Sequence, residues 1–245
     1  MNPRDPKVCR VTGNQSGDTT SEARKARSTT HSTAPGELCG SVWSRTLLVT
    51  PAGVRDETTE VTWVQGRDLY CDLRQPTPGV VDGQEGFAGR FAADRDVVTW
   101  HHDIDLTPGG PADVATFTRL DDTTVAEHGV HEHYTEHWRL VHHGDVDEYL
   151  LGDPAGGLGV LVRVGERFGY AHHRPGSLGS EVMTGRLTDD RWQVETASRT
   201  DRVGVDLAVV VAPTTVTLRL DGECLVWSPS TATASPAVPM TKEYV

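Results

Sequence analysis

The feature that most limits what this chain can fold into is that its second half repeats its first. LLVTPAG at 47–53 returns as LLGDPAG at 150–156, VTWVQGRDLYCDLRQP at 61–76 as VLVRVGERFGYAHHRP at 160–175, GRFAADR at 89–95 as GRLTDDR at 185–191, and RLD at 119–121 as RLD at 219–221. The offsets are 103, 99, 96 and 100 residues. Four matches in one order at nearly constant spacing imply two tandem units of the same fold. A chain of 245 residues has room for two self-sufficient cores.

Both units read as β. SVWSRTLLVT, TTEVTWVQG, DLYCDLR, EGFAGRFAA, DVVTWHHDIDL, DVATFTRL, TTVAEHGV and HEHYTEHWRLV are short runs rich in β-branched and aromatic residues. PAG, QPTPG, DG, TPGGP and LDD separate them as turns. No window before Leu150 sustains a 3.6-residue apolar period over the length a helix needs. The expectation is an all-β protein of two antiparallel units, 39–146 and 147–228. A unit with so many short strands must close into a barrel or fold into a sandwich to remove its edges, and the pattern leaves both open. Residues 1–38 are rich in Ser, Thr, Arg and Gly with few large apolar side chains, and are expected as a disordered leader; 229–245 are expected as a flexible tail.

Charge and cysteine spacing exclude several classes of function. The net charge is −12, and the only lysines are Lys7, Lys25 and Lys242. Phosphate affinity needs clustered basic charge, so neither nucleic acid nor an anionic membrane is expected as a partner. There is no secretion signal and no apolar run of membrane-spanning length. Cys9, Cys39, Cys71 and Cys224 lie far apart with no C-x-x-C pair, which argues against a zinc knuckle and a disulfide framework. A cytoplasmic protein with reduced thiols, no cofactor and no metal is the expectation.

Residues 97–143 carry eight of the eleven histidines and two of the six tryptophans. Strand parity sorts them. On 97–106, Val98, Trp100, His102, Ile104 and Leu106 share the inward face, and Thr99, His101, Asp103 and Asp105 the other. On 130–140, Val130, Glu132, Tyr134, Glu136, Trp138 and Leu140 face inward, and His131, His133, Thr135, His137 and Arg139 outward. Arg45 falls with Trp43, Leu47 and Val49, and Trp63 with Val61 and Gln65. Trp63, Trp100, Tyr134, Glu136 and Trp138, with Arg45 to pair a carboxylate, make a mostly apolar lining with a few polar groups, as small-molecule sites have. The same list also describes an aromatic core holding one satisfied ion pair. His133, Glu136 and His137 spell H-x-x-E-H, but that zinc motif works on a helix. On a strand the two histidines stand about 13 Å apart. His131 and His133 are spaced to chelate with a neighbouring strand, yet an exposed polar face is the preferred reading.

Trp43-Ser-Arg45-Thr-Leu-Leu-Val, Leu69-Tyr70-x-Asp72-Leu-Arg74, Phe87-Ala-Gly89, Trp100-His101 followed by Ile104-Asp105, and Gly129-Val130-His131-Glu132-x-Tyr134-Thr135-Glu136-x-Trp138 resemble an uncharacterised bacterial family related to the fungal HRI1 proteins. The resemblance is densest over 43–138 and thinner over 150–228. It implies a pair of calycin-like, or lipocalin-like, β-barrels and no particular reaction. It carries over Arg74, Trp100, His101, His131, Tyr134, Glu136 and Trp138, while His102, His133 and His137 depart from it. The second unit has no counterpart to WHHDID or GVHEHYTEHW, so the first is expected to hold the site.

Three functions follow. The first is a binding module whose first barrel holds a partly apolar small molecule, with Arg45, Trp63, Arg74, Trp100, His101, Tyr134 and Trp138 as ligand contacts. The second is a cofactor-independent isomerase, cyclase or hydratase using Glu136 or His131 as acid or base, since burial beside tryptophan raises a carboxyl toward neutrality. The third is a scaffold that docks partners through its tails.

Overall fold

The computed structural model describes Thr33 and residues 35–76, 83–176, 179–189 and 191–229. All of the expected tail but Pro229, and nearly all of the expected leader, lie outside these residues. The last few leader residues are inside them: Pro35–Glu37 form a short 3-10 helix, η1, and Leu38 is fully buried in the first core.

Seventeen strands follow among the described residues. They are β1 (Ser41–Val49), β2 (Arg55–Asp56), β3 (Glu60–Gln65), β4 (Leu69–Gln75), β5 (Glu85–Asp94), β6 (Val97–Asp105), β7 (Asp113–Arg119), β8 (Thr124–Gly129) and β9 (Thr135–His143), then β10 (Val146–Gly152), β11 (Leu158–Val164), β12 (Arg167–His173), β13 (Ser180–Thr188), β14 (Arg191–Ala197), β15 (Asp206–Ala212), β16 (Thr215–Leu220) and β17 (Glu223–Pro229). All pairings are antiparallel. β1 pairs with β3 on one side and β9 on the other, so β1 and β3–β9 close into an eight-stranded barrel, with β2 hung on the end of β1. β10–β17 close into a second eight-stranded barrel. Closure removes the exposed edges that units of this size must deal with.

Three of the four repeat matches fall on equivalent places: the β1 and β10 ends, the β3–β4 and β11–β12 hairpins, and β5 with β13. The fourth does not. RLD at 119–121 follows β7, whereas RLD at 219–221 follows β16, whose counterpart is β8. Within the second match the structural offset is 98, not 99. Gln65 pairs with Tyr70 and Arg163 with Phe168 as the last inward pairs around the two turns. A slip of one residue puts every side chain on the other face, so Asp72 and Arg74 correspond to Tyr170 and His172.

The two barrels share a core. Leu69, Cys71 and Leu73 of β4, Val64 of β3, Ala88 of β5 and Ile104 of β6 point outward and pack on Val160, Val162, Val164, Ala171 and Val182 of the second barrel. Burial on both faces explains why β11 reads as a nearly continuous apolar run and why Leu69–Leu73 of β4 are all buried. The contact follows the repeat. Cys71 and Gly169 are equivalent positions and face each other so closely that a Cβ on Gly169 would lie 2.5 Å from that of Cys71. Across the same junction, the Glu148 carboxylate accepts from the backbone N–H groups of Arg67, Asp68 and Leu69 in the β3–β4 turn at 2.9–3.2 Å.

Candidate functional site

The first barrel is apolar at one end and polar at the other. Trp43, Trp63, Trp100, Phe117 and Leu38 fill the end near η1, with Trp63 edge-on to Trp100 at 5.5 Å and to Trp138 at 5.3 Å. Gln65, fully buried, accepts through Oε1 from the Trp63 indole at 3.0 Å and the Trp100 indole at 3.3 Å. Toward the opposite end, where β4, β6 and β8 finish and β5, β7 and β9 start, the inward side chains become ionisable.

There a cavity of about 280 Å³, counting its open mouth, is lined by Trp63, Tyr70, Asp72, Arg74, Phe87, Trp100, Asp113, Glu127 and Trp138. Its enclosed part has room for about one or two water molecules as the side chains stand. A second hollow of about 250 Å³, lined by Pro111, Ala112, Asp113, Val114, His131, Glu132 and Tyr134, shares Asp113 with it.

Two buried ion pairs flank the cavity. Arg45 donates to Glu136 at 2.6 Å and to Asp56 at 3.1 Å. Arg74 donates through Nε to Asp72 at 3.0 Å, reaches Glu85 at 3.4 Å, and lies over the Phe87 ring at 4.7 Å. Glu127 stands directly across from Glu136 in the β8–β9 register. Arg45 satisfies Glu136, and Glu127 has no cation of its own. Burial and the Glu136 charge push the Glu127 carboxyl up to about 8. Its two oxygens accept from the Tyr134 hydroxyl at 2.7 Å and the Trp138 indole at 2.8 Å. Burial also raises Asp72, to about 6, with Arg74 offsetting part of the effect. The Tyr70 hydroxyl is buried and has no partner among the described residues. His102 stacks on Phe87 at 4.3 Å and stands 3.5 Å from Asp113 and 3.6 Å from Asp105. Burial opposes its charge, but Asp113 and Asp105 together hold its pKa above the ordinary value.

Of the expected ligand contacts, Trp63, Arg74, Trp100 and Trp138 line the cavity. Arg45 and Glu136 are inward and buried, and they bind each other just outside the lining. Tyr134 enters from the turn before β9 and packs on Gly129, where a Cβ would come within 2.5 Å of its ring. That turn corrects the reading of 130–140 as one strand. β9 starts only at Thr135, and His133 sits in the turn with φ of 54°. His131 is therefore an exposed turn residue lining the second hollow, not a member of a histidine face. His101 is exposed on the outer side of β6.

The inward face of β6 also changes. The β5–β6 register shifts between Ala88 and Gly89, so Gly89 pairs with His102 while Ala88 pairs with Ile104. Asp103 is the extra residue, and it bonds Arg90 outside at 2.8 Å. Past this bulge Ile104 faces the second barrel, and Asp105 pairs with inward-facing Phe87. Sequence reasoning missed Asp72, Glu127, Asp113 and Tyr70 as lining residues. Parity could have found three of them, since Tyr70 and Asp72 share a face with Arg74, and Glu127 with Val125.

The second barrel closes the corresponding mouth. Where the first barrel has the open loop 106–112, the second has a 3-10 turn, η2 (Thr200–Arg202), whose Arg202 is 3% exposed and bonds Glu181 at 3.1 Å and Glu223 at 3.0 Å. The loop after β6 or β14 therefore sets whether a barrel is open.

Among the described residues no group of three or more His, Cys, Asp or Glu side chains converges as a metal site, and no helix is long and apolar enough to cross a membrane. No family model and no curated protein sequence matches the chain. Among solved structures it is similar to an uncharacterized protein, YLR301w, from Saccharomyces cerevisiae, with a TM-score of 0.58 at 15% identity over 79% of this chain and 99% of that one. Either barrel alone is less than 79% of the chain, so the likeness takes in both and is one of fold: tandem eight-stranded β-barrels of calycin type.

Proposed function

We propose that this protein binds a small molecule in the mouth of its first barrel. The observation that carries the reading is the cavity itself. It has aromatic walls on three tryptophans, ionisable groups at the rim, and a buried Tyr70 hydroxyl that none of the described residues satisfies. A buried polar group without a partner costs free energy unless water or a ligand supplies one. Its aperture in this conformation suits a ligand of few atoms, or one that displaces the loop 106–112. The yeast likeness and the residues around Trp43, Arg74, Trp100 and Trp138 support kinship with the HRI1-like proteins, and a cytoplasmic location remains part of the same reading.

Titrating the protein with a panel of small metabolites while following tryptophan fluorescence tests it. Saturable quenching is expected, and it should weaken at least tenfold in Tyr70→Phe, a change that leaves the ring packing in place. No saturable response across cationic, anionic and neutral classes would sink the reading.

The acid–base reading keeps one specific support, transferred to another residue. Glu127 lines the cavity where Glu136 does not, and burial beside the Glu136 charge raises the Glu127 carboxyl to about 8. Proton transfer within a bound ligand would be abolished by Glu127→Gln with binding retained.

A further inference from the structure

The polar groups around the first-barrel cavity are unevenly used. Its donors are nearly all engaged. The Trp63 and Trp100 indoles go to Gln65, the Trp138 indole and Tyr134 hydroxyl to Glu127, and Arg74 to Asp72 and Glu85. Acceptors are left over. Among the described residues nothing donates to the second oxygen of Asp72, and the one ion pair of Asp113 is with His102 at 3.5 Å. Three carboxyl groups line the cavity against a single guanidinium, and the Tyr70 hydroxyl, 1% exposed, is unpartnered in the same wall. The remaining surface is the π-faces of Trp63, Trp100, Trp138 and Phe87. Excess acceptors and aromatic faces in a desolvated mouth are complementary to a positive charge.

We propose that the cavity takes a small organic cation, a primary ammonium or guanidinium with a short apolar tail. Its head would lie between Asp72, Asp113 and the Tyr70 hydroxyl, and its tail on the tryptophans. This rests on the reading of the cavity as a ligand site and adds the ligand's charge. An anion would meet three carboxyl groups and only one cation, already paired. A bare metal ion is a poorer fit, because these carboxyl groups do not converge on one point, whereas an ammonium or guanidinium spreads several donors over a wider span.

The site's titration follows from its neighbours. Glu127 is faced by Glu136 and Trp138 from β9, Tyr134 from the turn, Asp72 and Arg74 from β4, and Asp113 from β7. Ionising it is opposed by burial and by the other acids, and a bound cation relieves that opposition. Affinity should therefore rise from about pH 6 to about pH 9, a range in which an alkylammonium keeps its charge.

The test uses the full chain with n-butylammonium, n-butylguanidinium, butyrate and 1-butanol at matched ionic strength, read by tryptophan fluorescence. Saturable binding is expected for one or both cations. It should tighten about tenfold over that pH range and weaken at least tenfold in Asp113→Asn. Asp113 is 30% exposed at the rim, and an unchanged thermal unfolding curve for the variant shows that the fold is intact. Butyrate or butanol binding as tightly as the cations, or cation binding unaffected by Asp113→Asn, would overturn the cation assignment and leave the ligand site standing. Silence from all four probes together with the wider panel would remove both.

Discussion

Arg45 is buried between two carboxylates, and its replacement shows what an interior charge costs when its partners remain. Arg45→Ala leaves Glu136, 3% exposed, facing Glu127 with no cation between them. We expect a loss of about 3–5 kcal/mol in urea unfolding, whereas Arg45→Met with Glu136→Leu should cost much less. Glu127 shows the opposite case, a carboxyl held protonated. Its folded pKa of about 8 lies above the ordinary value of 4.5, so the native state binds the extra proton between those limits. That contribution is fully present below about pH 4.5 and is lost as pH rises through about 8. Glu127→Gln should flatten the fall in Tm between about pH 5 and about pH 8, and an unchanged slope would refute the assignment. Trp63, Trp100 and Trp138 were legible at this scale because a strand's period reports its faces, while Arg74 entered only through the family resemblance. The state of Glu127 was not legible, since it depends on Glu136 nine residues away standing directly opposite.

At the scale of elements, two irregularities decide where side chains go. The β6 bulge turns Ile104 to the interface, and the turn at 130–134 brings Tyr134 over Gly129 onto Glu127. Gly129→Ala would put a Cβ 2.5 Å from the Tyr134 ring. The ring must move, so the variant should lose about 1–3 kcal/mol. Tyr134→Phe on the Gly129→Ala background should then cost less than it does alone, because the hydroxyl contact is already gone; additive losses in chemical denaturation would argue against this. Period-two reasoning fails at such places because a bulge or turn adds residues without changing the local composition. Ile104 and Asp105 illustrate this, since parity put Ile104 inward and Asp105 outward and the bulge reverses both.

For the whole molecule, the shared core between the barrels predicts cooperative behaviour. Val64, Leu73 and Ile104 are buried only because the second barrel covers them, so the two halves should unfold in a single calorimetric transition. Gly169→Ala should lower its midpoint through the collision with Cys71, and Cys71→Gly on that background should restore part of the loss. Burial also raises the Cys71 thiol far above its ordinary value, so it should resist alkylation until unfolding, while exposed Cys224 reacts in the native state.

The sequence by itself determined the strand-rich duplication and most of the aromatic interior, because repeats and period-two alternation are local and survive in one dimension. Only the tertiary structure decided which loop leaves a barrel open, which repeat matches are equivalent, and which carboxyl remains without a cation. Those outcomes depend on distances between strands far apart in the chain, where one added residue reverses a face and one opposing charge changes a protonation state.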